Sequence, residues 1–148
     1  MLLRDRTIAT AAAGGVFGGC LQETGVGERI REFAETYRIG VLPLAFVLTA
    51  LVRIAQGSAT VAMVTSVGIV SSFATPETLG FHPVYLALTI GCASKLVPWM
   101  NDSGFWVLSR TAGLTERETL RTMSVMFALM GIVGFLIILV AVRFFPLV

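Results

Sequence analysis

The chain has 148 residues, 55% of them hydrophobic and 14% charged, with a net charge of +2. A soluble domain carries about 25% charged residues, so this composition, with its mean hydropathy of +0.84, belongs to an integral membrane protein. The small net charge, with no Lys/Arg run, argues against a nucleic-acid partner, and the spacing of Cys20 and Cys92 suggests neither a disulfide nor a metal site.

Residues 7–22 are apolar and small, and they predict a transmembrane helix. Gly14/Gly18 and Gly15/Gly19 have the small-xxx-small spacing that lets helices approach closely. At about 1.5 Å per residue this helix reaches about 24 Å, short of a hydrocarbon core of about 30 Å. It is therefore thin, tilted or cut at its start. Residues 24–38 change character. Ile30, Phe33, Ala34 and Tyr37 recur at helical spacing, and Glu28, Arg29, Arg31, Glu32, Glu35 and Arg38 fill the other faces. That pattern predicts an amphipathic helix lying at the membrane interface.

Residues 41–73 are apolar but interrupted by Arg53 and by Gln56-Gly57-Ser58-Ala59-Thr60. The stretch is too long for one span and too short for two, so it predicts a re-entrant hairpin with Gly57 and Ser58 at its tip. Residues 84–109 predict a broken transmembrane helix. Pro98 removes a helix hydrogen bond, and the polar cluster Asn101-Asp102-Ser103-Gly104 follows it. Thr115 with Glu118 forms a capping box, ahead of a last transmembrane helix over 118–143 whose residues 122–142 carry no charge. Arg4, Arg6, Arg110, Arg117 and Arg121 put both of their segments on the cytoplasmic side; the 74–83 loop has no Lys or Arg. The whole is one all-α membrane domain over 1–148.

A carboxylate at membrane depth, Asp102, costs about 2.5–3.5 kcal/mol on insertion scales, which points to an ion, a proton or a substrate. Paired helix breaks are the best sequence pointer to a transporter site, because they expose N–H groups at one half-helix end and carbonyls at the other. The two breaks here make Gly57, Ser58, Ala59, Thr60, Asn101, Asp102, Ser103 and Gly104 the candidate binding residues. Arg53 and Lys95 are the candidate charge partners. Asp102 also has a plainer role as a helix cap.

At these residues the sequence resembles the gluconate permease family of proton symporters. Arg53-Ile54-Ala55-Gln56-Gly57-Ser58-Ala59-Thr60-Val61-Ala62 is similar to one family signature, and Asn101-Asp102-Ser103-Gly104-Phe105-Trp106 to a second. Gly14–Gly27 and the run from Gly113 through Thr122 are similar too. The resemblance implies proton-coupled secondary transport of gluconate or a related small organic anion. It implies a multi-pass protein of the bacterial cytoplasmic membrane, with no cofactor and no catalytic residue. It also implies an inverted-repeat fold, of which this chain is the truncated C-terminal part, so the missing N-terminal transporter half, the lipid bilayer and a second copy in a homodimer are its expected partners. Many members carry a histidine before the Asn-Asp pair. This chain has Lys95-Leu96-Val97-Pro98-Trp99-Met100 there, which makes Asp102 the candidate proton carrier.

Ser94-Lys95 is the one adjacent nucleophile and base pair, and no oxyanion motif accompanies it, which argues against an intramembrane enzyme. A structural membrane subunit or a non-functional fragment, without transport, is the alternative reading.

Overall fold

A computed structural model describes residues 40–71, 74 and 79–145, together with Val16, Gly19, Cys20, Glu23, Thr24, Gly25, Arg29 and Glu32. The helices expected over 7–22 and 24–38 therefore lie outside the described residues, save for those eight single positions. Regular structure among the described residues is helical throughout.

Each helix is bounded by local chemistry. Helix α1, Val41–Gln56, ends at Gly57, whose φ of 74° places it in the left-handed region and whose N–H donates to the Arg53 carbonyl at 2.9 Å. Helix α2, Ala59–Val70, starts at Ser58, whose Oγ accepts from the Val61 N–H at 3.4 Å. Helix α3, Pro83–Ala93, opens with proline at its first position, where the missing N–H is no loss, and His82 Nδ1 accepts from the Val84 N–H at 3.2 Å. Helix α4, Ser103–Ala112, is capped by Asp102 and closed by Gly113. Helix α5, Glu116–Phe144, begins at a full capping box: the Thr115 N–H donates to Glu118 Oε2 at 2.9 Å, and the Glu118 N–H donates to Thr115 Oγ1 at 3.3 Å. One π-helical turn, Leu120–Ser124, interrupts it.

Length separates these helices into two kinds. At about 1.5 Å per residue α5 runs about 43 Å, enough to cross a bilayer of about 30 Å. Helices α1, α2 and α3 are apolar but reach only about 24, 18 and 17 Å. No strand occurs among the described residues.

Helix α1 packs against α2 and α3, and α3 packs against α5. Ala45, Val70 and Ile90 form one buried cluster, and Leu42, Tyr85 and Ile138 form another. The rings of Phe46 and Phe135 stack with centroids 4.2 Å apart. Lipid tails are as apolar as leucine, so helices in a bilayer associate through close packing and hydroxyl groups rather than by hiding apolar surface from water. The contacts follow that rule. Thr49, Thr65, Ser66 and Thr89 are wholly buried, and the Thr49 and Thr89 hydroxyls donate to carbonyls one turn back in their own helices, so what these two bring to the helix contacts is their small size. Gly131 and Gly134 let α5 lie directly on Cys92 of α3; a Cβ at Gly131 would stand 2.8 Å from the Cys92 carbonyl oxygen. By contrast, only Gly131 and Ile138 are buried over Val125–Phe144, so most of the apolar surface of α5 faces outward.

Candidate functional site

The turn between α1 and α2 and the connection between α3 and α4 touch each other. Gly57 is buried against Asn101: a Cβ at Gly57 would lie 2.6 Å from the Asn101 Cγ and 2.7 Å from its carbonyl carbon, and closer still to its carbonyl oxygen. Only glycine admits both this approach and the left-handed backbone found there. Helices α2 and α4 begin within two residues of the contact, at Ala59 and Ser103, so two helix N-termini flank one region. N-termini carry partial positive charge and unpaired N–H groups, which suits an anion.

Arg53, in the last turn of α1, ties this region together. It is 4% exposed. Its Nε donates to the Ser94 carbonyl at 2.9 Å, just past the end of α3. Its Nη2 pairs with Asp102 Oδ2, and its Nη1 is buried with no hydrogen-bond partner among the described residues. Asp102 divides its two oxygens: Oδ2 holds Arg53, while Oδ1 accepts the Gly104 N–H at 2.8 Å and so caps α4. The carboxylate therefore acts as both helix cap and ion-pair partner. Gly104 permits this, since a Cβ there would stand 3.2 Å from Asp102 Oδ1.

Backbone carbonyls left open at the end of α1 are closed by side chains of the connection. Asn101 Nδ2 donates to the Ile54 carbonyl at 2.8 Å, and Trp99 Nε1 donates to the same oxygen at 3.0 Å. Such orphan carbonyls need partners wherever water is scarce. Trp106 Nε1 likewise donates to the Met100 carbonyl at 2.7 Å. The Ser124 hydroxyl, in the π-helical turn, donates to the carbonyl of buried Pro98. Val97, preceding Pro98, has a φ of 41°, a strained value for a β-branched residue.

The candidate residues thus fall into distinct places. Gly57 and Asn101 are in contact, and Arg53 and Asp102 are paired. Ser58 is half-buried as the cap of α2, with Ala59 beside it, and Thr60, Ser103 and Gly104 are exposed on the first turns of α2 and α4. Lys95 is exposed and its ammonium makes no ion pair among the described residues. The amide nitrogen of Asn101, expected to face a ligand, is engaged in closing α1. The sequence reading missed the Ser94 carbonyl, which no side-chain signal marks. It also missed the hydrogen bonds of Trp99 and Trp106; an indole N–H in an apolar stretch is the signal that could have found them. Among the described residues no group of His, Cys, Asp and Glu could hold a metal ion.

Comparison with known proteins gives this arrangement its context. The model for "GntP family permease" matches residues 7–144. The "Low-affinity gluconate transporter" of Escherichia coli (strain K12) is 39% identical over 132 residues, covering 87% of this chain and 29% of that protein. The "Gnt-II system L-idonate transporter" of the same organism is 37% identical over 125 residues, covering 84% and 28%. Its "Inner membrane permease YgbN" is 36% identical over 133 residues, covering 88% and 28%. The chain spans less than a third of the length of these relatives. No solved structure matches. A family match over 7–144 and identities of 36–39% to membrane permeases place the chain among transport proteins rather than enzymes, and it belongs to the GntP permease family.

Proposed function

We propose that the chain forms part of the pathway by which a bacterial cytoplasmic-membrane transporter moves gluconate or a closely related small organic acid, coupled to protons. The observation that carries this reading is the pairing of buried Arg53 with half-buried Asp102, set where a hairpin turn and a helix break meet beside the N-termini of α2 and α4. A carboxylate-bearing substrate matches those positive ends and the guanidinium. The polyhydroxy chain of such an acid matches the hydroxyls of Ser58, Thr60 and Ser103 on the adjoining first turns. Gluconate and L-idonate, the substrates in the names of two relatives, share that chemistry.

On this reading α1 and α2 form a hairpin that enters and leaves on one face, since neither is long enough to cross alone. Segments 7–22, 84–109 and 118–143 supply the membrane passes, and 24–38 lies on the surface. The relatives are more than three times as long as the matched region, and a second, inverted set of elements completes the cavity; a homodimer is the proposed assembly.

The test is uptake of radiolabelled gluconate by proteoliposomes containing the full-length transporter of which, on this reading, the chain is a part. The expected result is accumulation driven by an inward proton gradient, abolished by a protonophore, competed by L-idonate and unaffected by glucose. Absence of uptake under every gradient, or equal competition by glucose, would overturn the reading.

A further inference from the structure

The guanidinium of Arg53 is half-used. Its Nε is committed to a main-chain carbonyl, that of Ser94, which cannot swing away. What remains is the edge formed by Nη1 and Nη2. Two parallel N–H groups on one edge match the two oxygens of a carboxylate. On this edge Nη2 is occupied by Asp102, and Nη1 has no partner among the described residues although the side chain is 4% exposed. Unpaired buried donors are uncommon because each costs about 1–3 kcal/mol. Asp102 cannot take both positions, since its other oxygen is held by the Gly104 N–H.

We propose that the Nη1–Nη2 edge of Arg53 is the anchor for the substrate carboxylate and that Asp102 competes for it in a proton-controlled exchange. This rests on the transport reading above. A proton from solution binds Asp102 Oδ2 and removes the charge that holds Nη2. The substrate carboxylate then takes Nη1 and Nη2 together. On release the carboxylate leaves, Asp102 gives up its proton, and the ion pair re-forms.

Charge decides why the exchange runs this way. Before loading, the site holds one guanidinium and one carboxylate. After loading it holds one guanidinium, one carboxylic acid and one substrate carboxylate. The sum is zero in both end states, so neither the empty nor the loaded site holds a bare charge, the arrangement low dielectric penalises most. One proton accompanies one monoanion.

Among the described residues few other groups can intervene. Helix α1 carries no ionisable side chain besides Arg53, and α2 carries none. Helix α3 brings Tyr85 and Cys92, the connection to α4 brings exposed Lys95, and α4 brings Arg110 near its end. The charged residues of α5 are Glu116, Arg117, Glu118 and Arg121 at its start and Arg143 in its last turn.

Binding of gluconate to the purified full-length transporter of which the chain is read as a part, measured by calorimetry across acid to mildly alkaline pH, tests the exchange. Wild-type affinity should weaken toward alkaline pH, with a limiting slope of about tenfold per pH unit for one linked proton. Asp102→Asn retains the cap, because Asn caps as well as Asp, and permanently frees Nη2. Its affinity should equal the wild-type value at acid pH and stay flat. Arg53→Lys keeps the charge but not the two-point edge, and should weaken binding about tenfold or more. In wild type, repeating the titration in buffers of different ionisation enthalpy should show proton uptake approaching one per gluconate at the alkaline end. An unchanged pH slope in Asp102→Asn, or no proton uptake by wild type at any pH, would overturn the exchange and leave the transport reading standing. No gluconate binding at any pH, by protein that is helical and monodisperse, would overturn both.

Discussion

Replacing Gly57 with alanine tests the contact on which the candidate site depends. Two costs act at this position. The φ of 74° is left-handed, which costs an L-residue about 1–2 kcal/mol. The added Cβ would also stand 2.6 Å from Asn101 Cγ and 2.7 Å from the Asn101 carbonyl carbon. Those are largely main-chain neighbours, so no rotamer change relieves them, and overpacking of this kind costs about 1–3 kcal/mol. The total is about 2–5 kcal/mol. Gly113→Ala is the matched control. It has a similar φ of 64°, but nothing lies within 4 Å of its Cβ, so it should cost only the conformational part, about 1–2 kcal/mol. Unfolding of both variants by SDS in mixed micelles, followed by far-ultraviolet circular dichroism, should place Gly57→Ala about 1–3 kcal/mol below Gly113→Ala. Gly57→Ala should also depress gluconate binding, because separating the turn from Asn101 moves Arg53 relative to Asp102. Equal destabilisation by the two substitutions would refute the argument: it would mean the turn and the break do not press on each other.

Two further outcomes follow from the helix contacts. Gly131→Ala and Gly134→Ala should each destabilise by about 1–3 kcal/mol, but only the second should be rescued by Cys92→Ala. Its Cβ would meet the Cys92 Sγ, at 2.7 Å, whereas that of Gly131 meets the Cys92 main-chain oxygen; a double-mutant cycle by SDS unfolding reads the difference, and rescue of both would contradict it. Thr115→Ala should cost about 1 kcal/mol and speed amide hydrogen exchange at Glu118, while Thr115→Ser should leave both near wild type, because the hydroxyl that accepts the Glu118 N–H is retained; protection at Glu118 unchanged in Thr115→Ala would show the cap to be dispensable.

What the sequence made legible is local. Glycine and small polar residues inside apolar stretches marked the positions at 57–60 and 101–104, because backbone geometry and the rarity of polar atoms in lipid both act through nearest neighbours. The capping box of Thr115 and Glu118 was readable for the same reason. Arg53 and Asp102 were each conspicuous as charges, but their pairing joins residues 49 positions apart, and nothing in one sequence encodes that distance. The Ser94 carbonyl offers no side-chain signal at all. The break was read at Asn101–Gly104, whereas α3 already ends at Ala93 and the non-helical connection runs to Asp102. Pro98 held part of that information, since it pushes the preceding residue out of the helical region, and Val97 is indeed non-helical. The π-helical turn at Leu120–Ser124 was not readable, as no residue within it marks it, and its hydrogen bond from Ser124 reaches Pro98, 26 positions away.

That turn sets what kinds of sequence change this region can absorb. A π-helical turn holds one residue more than the α-turn it replaces. Deleting one residue within 120–124 would restore a plain α-helix and leave the residues downstream on the same faces, whereas a deletion in the plain α-helix that follows would rotate everything beyond it by about 100°. A deletion between 125 and 130 would therefore swing Gly131 and Gly134 off Cys92, and Phe135 would leave Phe46. The π-helical turn is thus the place in this helix where one residue can be lost without disturbing that packing, and its neighbours in sequence are held to a fixed length.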